Sequence, residues 1–556
     1  MLKVALVGVN SQYIHSNLAI RYLKSYTKDL DYHCELMEFT INDRIENILE
    51  AIIETSPDVI GFSCYIWNME YIGRLTGLIK LVIPEVTIIL GGPEVSYDGV
   101  EIIKCYDVDY LVEGEGEETY RELINALIEG NKIQGIKGLF YKEGSLVHYE
   151  GARRLINMNA LTFPYDTLED LENKIIYYEA SRGCPFNCSY CLSSTTHGVR
   201  FLEGDRVKAE LQYFMDKGVK LVKFVDRTFN ARKSFSLDIW KFLISLETRT
   251  SFHFEISADI LSEEEIILLK TAPKGRFQFE IGVQTTNEEV LKKINRGAKY
   301  SLIAEKVMKL REGDNLKLHL DLIAGLPKED MVSFKKSFND VYALRPEAFQ
   351  LGFLKLLKGS SMREEAEENK MIYSPYAPYE ILVSKYISYQ ELRELKRIEE
   401  LVDKYYNSGK FSNVIDYMTG QYNTPFDFYK KLAEYFIIKG YFRISIGKNE
   451  YYKVLINFFN DYCPKESFEA FMELLRYDYL YFNKKRGMPD FIVKKISKEE
   501  ELVLREKYSL KVKEEYIEKF NIDMDRFLNN GEIIEKTSYV VFNISNPEVT
   551  AIINNL

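Results

Sequence analysis

"KIIYYEASRGCPFNCSYC", residues 174–191, decides the fold of this 556-residue chain. It opens as a strand and then sets Cys184, Cys188 and Cys191 within eight positions, in a sequence with only seven cysteines. Thiolates are soft ligands that suit zinc, copper(I) or iron–sulfur clusters. Structural zinc wants four closed ligands, commonly from two knuckles, and the C-x3-C-x2-C spacing here has no second knuckle, so a zinc site would need His197 as its fourth ligand. A four-iron cluster can instead be gripped by three thiolates from one loop. One iron then has no protein ligand and is open to bind and activate a small molecule, as the open position of a catalytic zinc is.

The remaining four cysteines, Cys34, Cys64, Cys105 and Cys463, stand singly in apolar or strand-like text and read as inert core thiols, which argues against a disulfide framework. With 46% hydrophobic and 28% charged residues the composition is that of a globular protein of about three domains. No apolar run approaches the roughly 18 to 20 residues of a membrane span. The opening "MLKVALVGVN" runs straight into a strand and lacks a small-residue cleavage site, so it does not read as a signal peptide, and a cytoplasmic protein is expected. A net charge of −11 disfavours nucleic acid as the main partner.

Working outward from the cysteines, residues 1–135 alternate strand text ("LKVALVG", "HCELMEF", "DVIGFSC", "TIILGG", "VDYLVEG") with helical text, the pattern of a doubly wound parallel sheet. Ligands of such sheets sit outside the carboxyl ends of the strands. Those ends carry Asn10 and Ser11, Ser63 and Cys64, Gly91-Gly92-Pro93-Glu94, and Gly114-Glu115-Gly116-Glu117, where glycines let backbone approach a ligand. A hairpin around Glu143-Gly144 and a linker containing Pro164 fill residues 136–174. From 175 to 374 six β/α units follow, fewer than the eight of a closed barrel, which implies a partial, open-sided barrel. Residues 375–556 read as a helical C-terminal domain whose tyrosine and phenylalanine stripes form core.

The C-x3-C-x-aromatic-C loop after the first of six β/α units resembles that of the radical S-adenosylmethionine superfamily, with Tyr190 in the aromatic position. The resemblance implies that Cys184, Cys188 and Cys191 hold a [4Fe-4S] cluster whose open iron chelates S-adenosylmethionine. "FEIGVQTTNEEVLKKINR" is similar to the family's fourth-strand pattern, which implies that Glu280 and Gln284 face the barrel and that Gln284 approaches the ribose. Gln278, Glu280, Gly282 and Gln284 share one parity along the strand, opposite to Phe277, Phe279, Ile281 and Val283. "DLIAGLPKE" resembles the fifth-strand motif, implying that backbone around Ile323 and Gly325 packs on the adenine while Asp321 points inward. The family's Gly-Gly-Glu motif is replaced by "FVDRTFN", leaving Asp226, Thr228 and Asn230 as stand-ins for the methionine amino contact.

A doubly wound domain ahead of such a barrel, with "GFSCYIWN", "ILGGPEVSYD" and "GEGEETYREL", resembles the cobalamin-binding class of the superfamily. Asn10, Ser11, Ser63, Cys64, Gly91, Gly92, Glu94, Gly114 and Gly116 are then the expected cobalamin contacts. The D-x-H-x-x-G loop that places a histidine on cobalt is absent, since neither His15 nor His33 has the flanking residues. Residues of the loop after Ser63 are expected beneath cobalt instead. The resemblance implies methyl transfer to an unactivated carbon through a 5'-deoxyadenosyl radical, with Asp226, Glu255 and Asp321 as acid–base candidates. It also implies a low-potential electron donor such as flavodoxin or ferredoxin. A radical rearrangement or cyclisation, and a non-catalytic cobalamin or redox sensor, are the alternatives.

Overall fold

The computed structural model describes residues 1–165, 174–196, 198–483, 488–512, 514–543 and 550–553. His197, the candidate fourth zinc ligand, and residues 166–173 of the expected linker lie outside the described residues. The chain divides into two compact units, Met1–Phe334 with Leu351–Tyr389, and Lys335–Gln350 with Gln390–Leu556.

In the first unit the near-continuous apolar runs become central parallel strands, because only a strand covered by helices on both faces hides side chains of both parities. β1 (Lys3–Asn10) buries its last seven residues, β2 (His33–Thr40) is mostly half-exposed, and β3 (Val59–Ser63) is buried throughout. β4 (Thr87–Gly91) and β5 (Tyr110–Val112) continue the sheet, and the hairpin of β6 (Leu139–Glu143) and β7 (Leu146–Tyr149) closes it antiparallel, giving the order β2-β1-β3-β4-β5-β6-β7. Five helices alternate with the strands: α1 (Leu18–Tyr26), α2 (Ile45–Glu54), α3 (Met69–Val82), α4 (Gly99–Cys105) and α5 (Glu117–Glu129). The strand order reverses between β1 and β3, so Asn10 and Ser63 end strands on the two sides of a switch-point crevice. Cys105, expected in the core, is exposed at the end of α4, a short helix whose buried residues are Gly99, Ile102 and Ile103.

The second sheet begins with β8 (Ile175–Tyr178), which leads into the antiparallel ribbon of β9 (Ser181–Cys184) and β10 (Gly198–Phe201). β11 (Leu221–Phe224), β12 (Ser251–Ile256), β13 (Phe277–Gln284), β14 (Lys317–Ala324) and β15 (Ala348–Phe353) complete an open six-stranded sheet, ordered β15-β14-β13-β12-β11-β8. The parity expected for β13 is observed. Phe277, Phe279, Ile281 and Val283 are at most 1% exposed, whereas Gln278, Glu280 and Gly282 are half-buried on the other face. On the covered face Phe254 stacks face to face with Phe224 and Phe279, and Trp240 of the helix Lys233–Ser245 meets Phe254 and Phe279 edge to face. Such aromatic pairs add about 0.5–1.5 kcal/mol each beyond their burial.

β8 is the free edge of this sheet, and an unpaired edge is a liability. The loop after β1 covers it: the Ile175 amide donates to Ile14 O at 2.8 Å, and the Ser16 hydroxyl donates to Ile175 O at 3.0 Å.

The second unit contains the expected helices together with a three-stranded antiparallel sheet that the helical reading did not separate, Glu515–Ile522, Glu535–Asn543 and Ala551–Ile553. Within it Arg476 is 2% exposed between Glu473 and Glu518, at 3.0 and 3.3 Å. Among the described residues no helix is long and apolar enough to cross a membrane.

Candidate functional site

The cysteine loop is held by backbone on both sides. Gly183 has φ +100°, and a Cβ there would lie 2.0 Å from Gly198 O, so only glycine lets β9 and β10 pair this closely before Cys184. Between Cys188 and Tyr190, the Ser189 amide donates to Ile294 O at 3.0 Å, and Ser189 O accepts from the Met362 amide at 2.9 Å. The Cys191 amide donates to Cys188 O at 3.1 Å.

The three thiols open on one cavity of about 180 Å³, lined also by Tyr190, Arg227, Thr228, Glu255, Glu280, Gly282, Gln284, Arg296 and Asp321. Thr228 Oγ1 lies 3.5 Å from Cys184 Sγ. Arg296 reaches in from the segment after the helix Glu288–Lys293: its Nη1 is 3.8 Å from Cys188 Sγ and 3.4 Å from the Tyr190 hydroxyl, and its Nη2 donates to Gly282 O. Burial pushes the Cys188 thiol up and Arg296 pulls it back towards the thiolate.

At the end of β13 the ladder shifts register between Gly282 and Gln284, and Gln284 takes φ +71°, a left-handed conformation that a non-glycine residue holds at a cost of about 1–3 kcal/mol. Its amide nitrogen lies 2.1 Å from where a Cβ on Gly282 would sit, so Gly282 makes the space into which Gln284 folds. Gln284 Oε1 and Asp321 Oδ1 are buried without a hydrogen-bond partner. Burial, then Glu280 and Glu255, drives the Asp321 carboxyl well above its ordinary range, and burial also raises Glu255, opposed by Arg227 at 3.9 Å. Glu280 goes the other way, held down to about 2 by His253 at 3.1 Å and Lys223 at 3.2 Å.

Not every expected residue reaches this cavity. Asp226 is fully buried and does not line it: its carboxylate accepts the Ala180 amide and the Ser181 hydroxyl, bracing the turn that launches the cysteine ribbon. Asn230 bonds both ways with the Ser257 backbone. Ile323 is half-buried on β14, and Gly325 follows at φ +92° with Ile381 packed where its Cβ would be. Nothing in the sequence marks Arg296, Arg227 or Lys223 as cavity residues. "NRG" and "DRT" carry no periodicity, and only the fold shows which acceptors these cations meet.

At the carboxyl edge of the first sheet, several expected contacts turn into the fold. Asn17 Nδ2 donates to Asn10 Oδ1 at 3.1 Å and to Ser63 Oγ at 2.9 Å, tying the two strand ends together. Cys64 is fully buried, with burial raising its thiol. Glu94 accepts from the Tyr379 hydroxyl and lies 3.6 Å from Lys358. Ser11, Gly91, Gly92, Gly114 and Gly116 stay at least partly exposed along this edge. Glu115 and Glu117 bind the cysteine ribbon, since Arg182 of β9 contacts Glu117 at 2.6 Å and Arg200 of β10 contacts Glu115 at 3.0 Å. Beyond Cys64, Tyr65 and Trp67 stack at 4.4 Å and 5°, with Trp67 44% exposed.

These residues fit the groups expected of them. Three free thiols share the cavity with two cations and two unpartnered polar atoms, a donor set that suits an iron–sulfur cluster carrying a small charged ligand. Among the described residues no three His, Cys, Asp or Glu side chains converge on one ion. A cube asks for a different arrangement, with one thiolate on each of three irons. The flat aromatic pair after β3 suits a planar macrocycle. His15 bonds Tyr177 rather than standing free at the sheet edge, and His33 is exposed at the start of β2.

Family models match three stretches: B12 binding domain over residues 4–124, Radical SAM superfamily over 178–341, and Protein of unknown function (DUF4080) over 367–553. An uncharacterized methyltransferase of Pyrococcus horikoshii is 32% identical over 234 residues, 40% of this chain and 51% of that protein. The cobalamin-dependent radical SAM methyltransferase TokK of Streptomyces tokunonensis is 26% identical over 360 residues, 60% of this chain and 52% of that protein. The chain thus spans about half the length of these curated relatives. Other relatives are named as a cyclase and a synthase. The fold is that of the cobalamin-dependent S-adenosylmethionine radical enzyme OxsB, solved with aqua-cobalamin and S-adenosylmethionine, at TM-score 0.58 and 17% identity over 91% of this chain and 84% of that one. The chain thus carries, in order, a B12 binding domain, a Radical SAM domain and a DUF4080 domain.

Proposed function

We propose that this enzyme transfers a methyl group to an unactivated carbon, using a [4Fe-4S] cluster, S-adenosylmethionine and cobalamin. When bound, these cofactors supply what side chains cannot: a 5'-deoxyadenosyl radical to remove a substrate hydrogen, and a transferable methyl group. Cys184, Cys188 and Cys191 hold one iron each. Arg296 and Arg227 would place positive charge beside the bound S-adenosylmethionine, Gln284 Oε1 would be free to accept from it, and the backbone near Ile323 and Gly325 would be available to its base. Asp321, pushed towards its protonated form by burial and by neighbouring acids, would offer a hydrogen-bond donor to the cavity, and Glu255 faces the same space as an acid–base group. The observation that carries this reading is the meeting of three free thiols and two unpartnered polar atoms in one cavity. The reading calls for a low-potential electron donor of flavodoxin or ferredoxin type and a cytoplasmic setting, where thiols stay reduced.

The test is anaerobic incubation of the full chain with cobalamin, dithionite and trideuteromethyl S-adenosylmethionine in cell extract. Expected are 5'-deoxyadenosine and a product carrying the labelled methyl. Absence of 5'-deoxyadenosine rejects radical catalysis and leaves a sensor. With 5'-deoxyadenosine but no label in any product, the radical rearrangement or cyclisation takes over, a reading the cyclase and synthase names among the relatives favour.

A further inference from the structure

The inside of a closed (β/α) barrel is filled by bulky branched side chains. Here the inward face of β8 to β14 is polar and half-exposed: Tyr177, Lys223, Gln278, Glu280 and His319, with His253 more deeply set. Strand register brings them together, since Lys223 pairs with both Tyr177 and His253, His253 pairs with Gln278, and Glu280 pairs with His319. The His253 and His319 rings stand 5.7 Å apart, and Gln278 Nε2 lies 2.9 Å from His319 Nε2. At the open edge His15, brought by the loop that covers β8, meets the Tyr177 hydroxyl at 3.0 Å. Three of the chain's six histidines thus line one floor below the cofactor cavity.

What this floor can bind follows from its charges. Its ionised acid, Glu280, is already shared by Lys223 and His253, and the next acid up, Glu255, faces Arg227. The remaining acid, Asp321, has its charged form disfavoured by burial and by Glu280 and Glu255, which makes it a poor partner for a cationic group. Hydrocarbon laid on these side chains would strip their hydration without replacing it, at a cost of about 1–3 kcal/mol per group. Lysine, imidazole and amide N–H groups converging on one place are instead the partners of an oxyanion. His319 is held down to about 4 by burial first and then by His253, with Lys223 and Lys317 adding and Glu280 opposing. Burial and Lys223 also lower His15.

We propose that Lys223, His253, Gln278 and His319, with the His15–Tyr177 pair at the open edge, bind an oxyanion group of the substrate, a carboxylate or a phosphate. This rests on the radical-enzyme reading, because it assumes that the substrate enters the barrel under the cofactor. It selects polar, acidic substrates over neutral lipids.

Calorimetric titration of the anaerobic, cluster-loaded full chain with inorganic phosphate, and separately with acetate, tests it. At pH 7 the expected result is saturable binding of one of the two, which tells phosphate from carboxylate. Proton uptake should accompany it as His319 becomes charged, with affinity rising as pH falls towards 5. Lys223→Met and His319→Gln should each weaken binding at least tenfold, and Lys208→Met on the helix Gly204–Asp216 should leave it unchanged. Lys223→Met strips one partner from Glu280, so His319→Gln is the decisive variant if the former does not fold. No saturable binding of either anion, or binding indifferent to His319→Gln, overturns the proposal. 5'-Deoxyadenosine formation measured on the same samples keeps the two readings apart: cleavage without anion binding rejects this site alone, and anion binding without cleavage rejects the radical reading alone.

Discussion

Buried acids occur in both units, and the acid at the cavity wall is treated differently from those of the C-terminal unit. In the C-terminal unit Glu473 accepts from Arg476, Lys495 and the Asn521 amide, Glu518 from the Lys495, Ile496 and Lys519 amides, and Asp478 from the Val414 amide and Asn413. In the barrel half-buried Asp321 has its Oδ1 shut away from solvent and bonded to nothing, and Gln284 Oε1 is in the same condition on a left-handed backbone. A fully satisfied buried group stabilises one packing, whereas an unsatisfied one at a cavity wall is stability withheld for a ligand. The difference separates architecture from chemistry in a chain where both use the same residue types.

The largest effect that probes this contrast lies at the cysteine loop. Replacing Cys184, Cys188 and Cys191 together by alanine should remove all bound iron and all S-adenosylmethionine cleavage, yet leave the thermal transition of the C-terminal unit in place. Next comes Arg476→Met, which removes the cation held between the buried Glu473 and Glu518. It should cost about 3–5 kcal/mol in urea unfolding while the cluster spectrum of the surviving folded protein is unchanged.

Asp321→Asn should do the reverse. Burial disfavours the charged form of this acid, so its amide should change stability by less than about 1 kcal/mol, while turnover falls by about 10²-fold through loss of the O–H donor. A stabilised but inactive variant would sharpen the comparison, and an active one would place Asp321 among the structural acids.

The smallest effect is a pH slope. Burial raises Asp478 to about 7 despite the bond from the Val414 amide, and Asp226 likewise to about 7. Their folded states therefore bind more protons than the unfolded chain, and the stability they contribute is complete below about 4 and lost as pH rises to about 7. In Asp478→Asn the decline of urea stability across that window should be shallower than in the parent chain.

Much of this was legible in the sequence because two periodicities and one spacing carried it. The C-x3-C-x2-C loop, the parity of Glu280 against Phe279, and the β/α alternation of residues 1–135 each depend only on local geometry. The glycine-rich strand ends could be placed as loops, yet not aimed: that Glu94 meets Tyr379 and that Asn10 and Ser63 meet Asn17 are decided by packing between elements. Asp226 looked like a cavity acid because strand parity does not survive the turn after β11. Arg296, Lys223 and Arg227 had no pattern to mark them. The C-terminal sheet was hidden because "EYIEKFNI" and "EKTSYVVFN" put Lys and Glu on their outer positions, and those residues also crowd helix surfaces.

The central claim is that one iron of the cluster is left free by the chain. Electron paramagnetic resonance of the reduced, anaerobically reconstituted protein, recorded with and without S-adenosylmethionine, tests it most directly. The account predicts a [4Fe-4S]+ signal whose g-values shift on adding S-adenosylmethionine, with no signal in the triple alanine variant. A spectrum indifferent to S-adenosylmethionine, or stoichiometric zinc in place of iron, would contradict it.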